Sequence, residues 1–274
     1  MNPWRLALTR LHNRIIQTVI GQNDGDALRI DSLYTQIEIK KAISGKPNEG
    51  TVNIYNLAEA TENQIQEKGI RIRIFAGHDL QPILLHDGNI RRVERVRQPP
   101  DRITSIFLGG NTIKLAQAIF NKGYSGQVSV RQIVEDAIPT FNIDATDLDQ
   151  IPDDAFLYDY SFSGKTGVMF DKILNPIGVQ WFESDNFIKF SSNQKALENV
   201  VLLDSDSGMI GSPTVTDKGV KFKSVLNGRI VMNERIQIKS SLVNGTYKVI
   251  EILHKGDNRE GEFVTEGTGT ELEQ

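Results

Sequence analysis

QIEIKKAISGKPNEGTVNIYNLAEATENQI, Gln36 to Ile65, reads as a strand, a polar turn, a second strand and a short helix. Ile37 and Ile39 alternate with Glu38 and Lys40, and Val52 and Ile54 alternate with Asn53 and Tyr55. A period of two places alternate side chains on opposite faces, as half-buried strands require. Between the strands, Gly45 to Gly50 supply turn chemistry with no apolar side chain to bury. Thr61 with Gln64 fits a capping box, and Gly69 is the expected C-cap.

Outward from this block the strand pattern continues to about Gly110. RIRIFAG from Arg71 alternates isoleucine with arginine, and RITSIFLGG from Arg102 alternates until Gly109-Gly110 breaks it. PILLHDGNIRRVERV reads as a hairpin turning at Asp87-Gly88, because Asp-Gly tolerates the positive φ of tight hairpins. Several short strands with turns between them suggest a small barrel or sandwich.

At Asn111 the period changes. NTIKLAQAIFNKG predicts a helix ending at Gly123, SVRQIVEDAIPTF a second stopped at Pro139, and TGVMFDKILNPIG a third capped at Thr166. VQWFESDNFIKF follows as a hairpin turning near Ser184 to Asn186. After about Asn199 strands return: GVKFKSVL, RIQIKS, GTYKVIEILHKG and GEFVTEG, with Asn244-Gly245 as a hairpin turn and a fraying tail from Thr268 to Gln274. The opening residues, Met1 to Gly21, predict one or two strands. Arg5, Arg10, His12 and Arg14 interrupt any apolar run there, well short of the roughly 20 residues a spanning helix needs.

The chain has 274 residues, of which 39% are hydrophobic and 24% charged, so a sizeable core is possible. It has no cysteine, which removes disulfides, thiolate metal sites and cysteine nucleophiles. The net charge of −4 argues against a dominant phosphate-gripping role. Arg91, Arg92, Arg95 and Arg97 form the densest basic run, read as a solvated strand face or a subunit salt-bridge surface.

Chemical motifs are weak. SGKTG, Ser163 to Gly167, and the acidic strand VVLLD, Val200 to Asp204, imitate a nucleotide site, but Asp159 stands where the phosphate loop needs its first glycine. Asp144, Asp147, Asp149, Asp153 and Asp154 lack calcium-loop spacing, and Pro152 interrupts them. His12, His78, His86 and His254 lie far apart and read as surface or turn residues. No GxSxG elbow occurs, and no carboxylate pair is singled out for glycoside hydrolysis. The expectation is no catalytic residue, no cofactor and no metal.

SGKPNEGTVNIYNLAEATENQI resembles the N-terminal region of tail baseplate hub proteins of tailed bacteriophages, through Pro47, Asn48, Ile54, Tyr55, Asn56 and Leu57. A second match lies in GVKFKSVLN and in NGTYKVIEILHKGD, where Gly245 and Tyr247 lead to a His-Gly-Asp turn of His254, Gly256 and Asp257. The resemblance implies a mainly β (α+β) chain with two tube-like β-barrels, 1–110 and 200–274, around an α+β domain, 111–199. It also implies a non-enzymatic homotrimer whose pseudo-six-fold ring joins the tail tube to a trimeric spike or tip. Its expected partners are tail tube or distal tail proteins, the spike or tip, the tape measure protein and baseplate wedges, with no membrane anchor. Assembly in the host cytoplasm and residence in the virion baseplate follow from the same likeness. A tail-delivered peptidoglycan hydrolase, or a hub of a bacteriocin or secretion spike, is the alternative. Arg71 and Arg73 are expected to meet acids across subunit contacts.

Overall fold

Ile37, Ile39, Val52 and Ile54 are all buried, and their strands pair as the alternation dictates. These are β3 (Thr35–Ala42) and β4 (Glu49–Tyr55), set in a computed structural model that describes residues 13–21, 27–43, 48–65, 70–78, 81–109, 112–192, 195, 199–217 and 219–271. The turn residues 44–47, with Pro47, and the expected C-cap Gly69 lie outside the described residues.

The chain divides into two compact units. The first takes residues 1–41, 48–109 and 198–271. Its early strands are β1 (Arg14–Ile20), β2 (Leu28–Ile30), β3, β4, β5 (Arg71–His78), β6 (Ile83–Gln98) and β7 (Asp101–Gly109), with helix α1 (Glu59–Gln64). The second unit, 42–47, 110–197 and 272–274, supplies the next strands in chain order. They are β8 (Ile119–Gly123), β9 (Gln127–Ser129), β10 (Ala145–Thr146), β11 (Phe156–Tyr158), β12 (Ser161–Lys165), β13 (Val179–Ser184) and β14 (Phe187–Ser192). The chain returns to the first unit with β15 (Val200–Leu203), β16 (Thr214–Thr216), β17 (Gly219–Val225), β18 (Arg235–Lys239), β19 (Asn244–Asp257) and β20 (Phe263–Thr270).

All described strands of the first unit join in one sheet, ordered β16-β17-β20-β19-β3-β4-β7-β6-β5-β1-β2, with β18 beside β19 and β15 parallel to β18. The pairing of β19 with β3 carries the sheet from the last third of the chain to the first. Beyond it the sheet curls back, because β1, near the far end of the order, donates from Arg14 to the Asp257 carbonyl at the end of β19. Leu226 and Phe263 share one core with Ile16, Ile37, Ile72 and Leu108. Thus the first and last thirds of the chain bury apolar surface together, the dominant favourable term in folding.

The second unit opens with α2 (Thr112–Gln117) and packs α3 (Val130–Ala137) and α4 (Thr166–Leu174) with the β13–β14 hairpin around Phe141, Phe170, Trp181 and Phe190. The helices bury Ile133, Val134, Met169 and Ile173 at the helical spacing read from the sequence. The hairpin turns at Asp185 and Asn186, both at positive φ, as a tight primed turn requires. None of the described helices is long and apolar enough to cross a membrane.

Several local expectations are corrected. Asp87-Gly88 is no turn: β6 runs straight through, held against β5 by the Arg71–Asp87 ion pair. The turn falls at Pro99-Pro100, where proline cannot extend the ladder. Gly88 is needed for space, since a Cβ there would stand 2.6 Å from His86 Nε2. The predicted helix over 111–123 stops at Gln117; β8 then pairs with β12, burying Phe120 between exposed Ile119 and Asn121. Thr61 lies inside α1, whose N-cap is Ala58, and Thr166 opens α4 rather than capping it, bonding instead to Thr140 Oγ1.

Asn244 and Gly245 begin β19; the turn before them is built by Ser240, whose Oγ accepts from the amides of Leu242 and Val243. His254, Gly256 and Asp257 end β19, and the turn comes after them. Thr268 does not fray, being buried in β20 against β17 and β19. His86 and His254 are buried at 2% exposure, not surface residues, because both face inward on strands.

Candidate functional site

The two motif regions, some 200 residues apart in sequence, meet in one polar cluster. Tyr34 and Gln36 flank the start of β3, Tyr55 ends β4, and Asp257 ends β19. Tyr34 donates to Asp257 Oδ2 at 2.8 Å, and Gln36 Nε2 donates to the same oxygen at 3.0 Å and to Tyr34 at 2.7 Å. Tyr55 completes the chain by donating to Gln36 Oε1 at 3.1 Å, and its ring stacks on Tyr34 with centroids 4.3 Å apart. The Arg259 guanidinium lies 5.0 Å from the centroid of the Tyr34 ring, a cation–π contact.

Asp257 also organises the following turn. Its Oδ1 accepts from the amides of Arg259 and Glu260, both at 2.9 Å. Asn258 seals the seam: its Oδ1 accepts from Thr35 N and its Nδ2 donates to Leu33 O. Arg14 from β1 donates to the carbonyls of Asp257 and Gly261. One short segment around Asp257 therefore ties β1, β3 and the β19 turn together.

Burial alone would raise the Asp257 pKa, but hydrogen bonds from Gln36, Arg259 N, Tyr34 and Glu260 N outweigh it and hold the carboxyl below its usual range. Burial first, then the bond to Asp257, pushes Tyr34 up to about 12. The signs define two windows. A depressed carboxylate stabilises the fold above its unfolded pKa and loses that contribution as pH falls through the lower folded value. A raised tyrosine stabilises the fold below about 10, the ordinary tyrosine value, and that contribution is lost as pH rises toward about 12. Thermal melts of an Asp257→Asn variant are expected to show a weaker acid-side loss than the wild type; parallel acid limbs would contradict this.

The other motif residues sit elsewhere. Ile54 and Leu57 are core residues, and Asn48 is buried at the start of β4. Asn56 takes a left-handed conformation, accepts from Arg102 N at 3.0 Å and donates to Asp101 at 2.7 Å, anchoring the base of β7. Gly256 gives room to Ile37, whose Cγ1 would stand 2.8 Å from a Cβ there. Tyr247 is buried near Gly245 at the opposite end of β19, and His254 bonds Thr265 Oγ1 at 2.9 Å. Tyr34, Gln36, Asn258 and Arg14 were missed by sequence reasoning; the only signal was that Gln36 shares the outward face of β3 with Glu38.

The weak chemical motifs do not assemble. SGKTG spans the end of β12 and the start of α4, with Ser163 bonded to Asn121, while VVLLD covers β15 of the other unit. Asp153 pairs with Arg131 at 2.8 Å, and burial raises the pKa of Asp147. Among the described residues no group of three His, Asp or Glu is arranged to hold a metal. A shallow groove of about 350 Å³ on the outer face of β17, β19 and β20 is lined by Lys40, Lys223, Glu251 and Glu266, which pair with one another as Lys40–Glu251 and Lys223–Glu266.

What these contacts define is a β-sheet scaffold whose distant ends are clamped together. Residues 15–269 match the family model described as baseplate hub gp41, and the chain belongs to that family. It is therefore a baseplate hub component of a phage tail, a structural class that associates with other tail components.

Solved structures share the fold. The prophage MuSo2 43 kDa tail protein from Shewanella oneidensis superposes with a TM-score of 0.62 at 9% identity, covering 95% of this chain and 97% of that one. The tail protein from Neisseria meningitidis MC58 gives 0.63 at 9% identity, with the same coverages of 95% and 97%. An E. coli component of the type VI secretion system, described as similar to T4 tail proteins gp27 and gp5, gives 0.57 at 12% identity over 96% of this chain and 78% of that one. No curated protein matches the chain in sequence.

Proposed function

We propose that this chain is a non-enzymatic hub that works as a homotrimer, adapting a six-fold tail tube to a three-fold spike or tip. The supporting observation is the β3–β19 junction, where Asp257 locks strands from the first and last thirds into one sheet. A subunit built so presents two β-rich regions in fixed register, which is what a three-fold ring imitating six-fold symmetry needs. Residues 1–110 and 200–274 would form the two tube-like barrels, with 111–199 as the domain between them. Tail tube or distal tail proteins, the spike or tip, the tape measure protein and the wedges are the proposed partners. Assembly would take place in the host cytoplasm before the particle is complete.

Native mass spectrometry of the purified chain tests the stoichiometry. The expected species is three copies of the 30.7 kDa chain. A chain that stays a single copy at every concentration, and also in the presence of tube and spike proteins, would overturn the homotrimer.

A further inference from the structure

In the second unit β8 and β9 form one side, and β11 and β12 the other, of a single antiparallel ribbon that lies wholly within the described residues. Ile119 pairs with Lys165 at one end, and Ser129 with Phe156 at the other. Between the two ladders the amide of Tyr124 donates to the Tyr160 carbonyl, and the amide of Asp159 to the Gly126 carbonyl. Gly126 and Asp159 both take positive φ there, an irregular step of the kind that re-aims side chains. As a result Tyr158 and Ser161, three residues apart, are both exposed, and one outward face continues along the ribbon.

The inward face belongs to the core: Phe120 is buried, and Val128, Leu157, Tyr160 and Phe162 pack against the same cluster. The outward face is built differently. Asn121, Gln127, Ser161 and Ser163 supply amides and hydroxyls, while Phe156 stands 46% and Tyr158 70% exposed. Ser163 donates to Asn121 Oδ1 at 2.8 Å, which fixes the Asn121 amide and leaves its Nδ2 hydrogens unclaimed among the described residues. Nearby charges are engaged elsewhere: Lys122 pairs with Asp136, and Asp159 accepts from the Gly126 amide at 2.7 Å. Lys165 stands at the end farthest from the two rings.

We propose that this face binds a neutral glycan chain, stacked on Phe156 and Tyr158. Alternate residues of one strand lie about 6.6 Å apart, so the two rings form adjacent flat platforms. Such rings offer apolar faces that suit the C–H faces of sugars, and Tyr158 adds a polar tip. The amides and hydroxyls beside them both donate and accept, as sugar hydroxyls do. Anion recognition would call for a guanidinium fork or clustered cations, and the face has neither among the described residues. Protein hot spots cluster at one desolvated centre. Here the other exposed apolar side chain, Ile119 at 59%, is at the opposite end of the ribbon, with Asn121, Gly123, Ser161 and Ser163 between it and the rings. The site holds a chain without cutting it, and it stands apart from the homotrimer reading.

Affinity electrophoresis of the full chain tests the site, with hydroxyethyl cellulose and glycol chitin as neutral glycans and dextran sulfate as a polyanion. The wild type is expected to be retarded by at least one neutral glycan and not by dextran sulfate. Tyr158→Ala and Phe156→Ala are each expected to weaken that retardation roughly tenfold, the loss of one stacking ring. Tyr158→Phe keeps the ring and is expected to keep most of the binding. All three side chains are exposed replacements, so melting temperatures are expected to match the wild type. No retardation in either neutral gel, retardation in dextran sulfate alone, or equal retardation of the alanine variants and wild type would overturn the glycan site. Alanine variants that lose a tail protein partner while neither neutral gel retards the wild type would make the face a protein interface instead. None of these outcomes alters the stoichiometry on which the homotrimer reading depends.

Discussion

Asp257→Ala is expected to destabilise the first unit by about 3 kcal/mol, because several donors lose one acceptor at once. Tyr34, Gln36 and the amides of Arg259 and Glu260 all bond this carboxylate, and of these Gln36 keeps a second acceptor in the Tyr34 hydroxyl. At this chain length that loss corresponds to a melting shift on the order of 10 °C. Asp257→Asn keeps an acceptor oxygen and is expected to lose less than the alanine variant. Differential scanning calorimetry checks both; alanine and wild type melting together would show that the clamp is decorative.

Gly219→Ala is expected to cost about 4 kcal/mol, combining strain at positive φ with overpacking. Gly219 opens β17 at φ +117°, and a Cβ would press into the backbone carbonyl of Gly269 on β20. That carbonyl belongs to the ladder and cannot swing aside without breaking the β17–β20 pairing. Gly211 provides the contrast: it also has positive φ, but nothing lies within 4 Å of where its Cβ would stand. Gly211→Ala is therefore expected to cost only about 1 kcal/mol, the left-handed penalty alone. Denaturant midpoints with unchanged slopes would separate the two; equal losses would contradict the packing argument.

Much of the fold was legible because burial follows period. Ile37, Ile39, Val52 and Ile54 alternate in sequence and are buried in space, and the helical faces of α3 and α4 were equally visible. What was not legible depends on partners far away in the chain. Asp87-Gly88 has hairpin chemistry, yet Arg71 across the sheet holds it extended. Ile119 and Phe120 continue a helical pattern, yet β12 offers them a ladder. Arg71 and Arg73 were expected at subunit contacts, but Arg71 closes on Asp87 within its own chain. The candidate site shows the same division. Tyr55 and Asp257 stood out as parts of motifs, whereas Tyr34 and Gln36 looked like ordinary polar residues until the fold set them beside Asp257.

In the proposed role this sheet serves as the adapting ring of a tail. Cryo-electron microscopy of the assembled particle tests it most directly. Three copies of the chain are expected in one ring at the end of the tail tube. Density for six identical copies, or none at the baseplate, would contradict it.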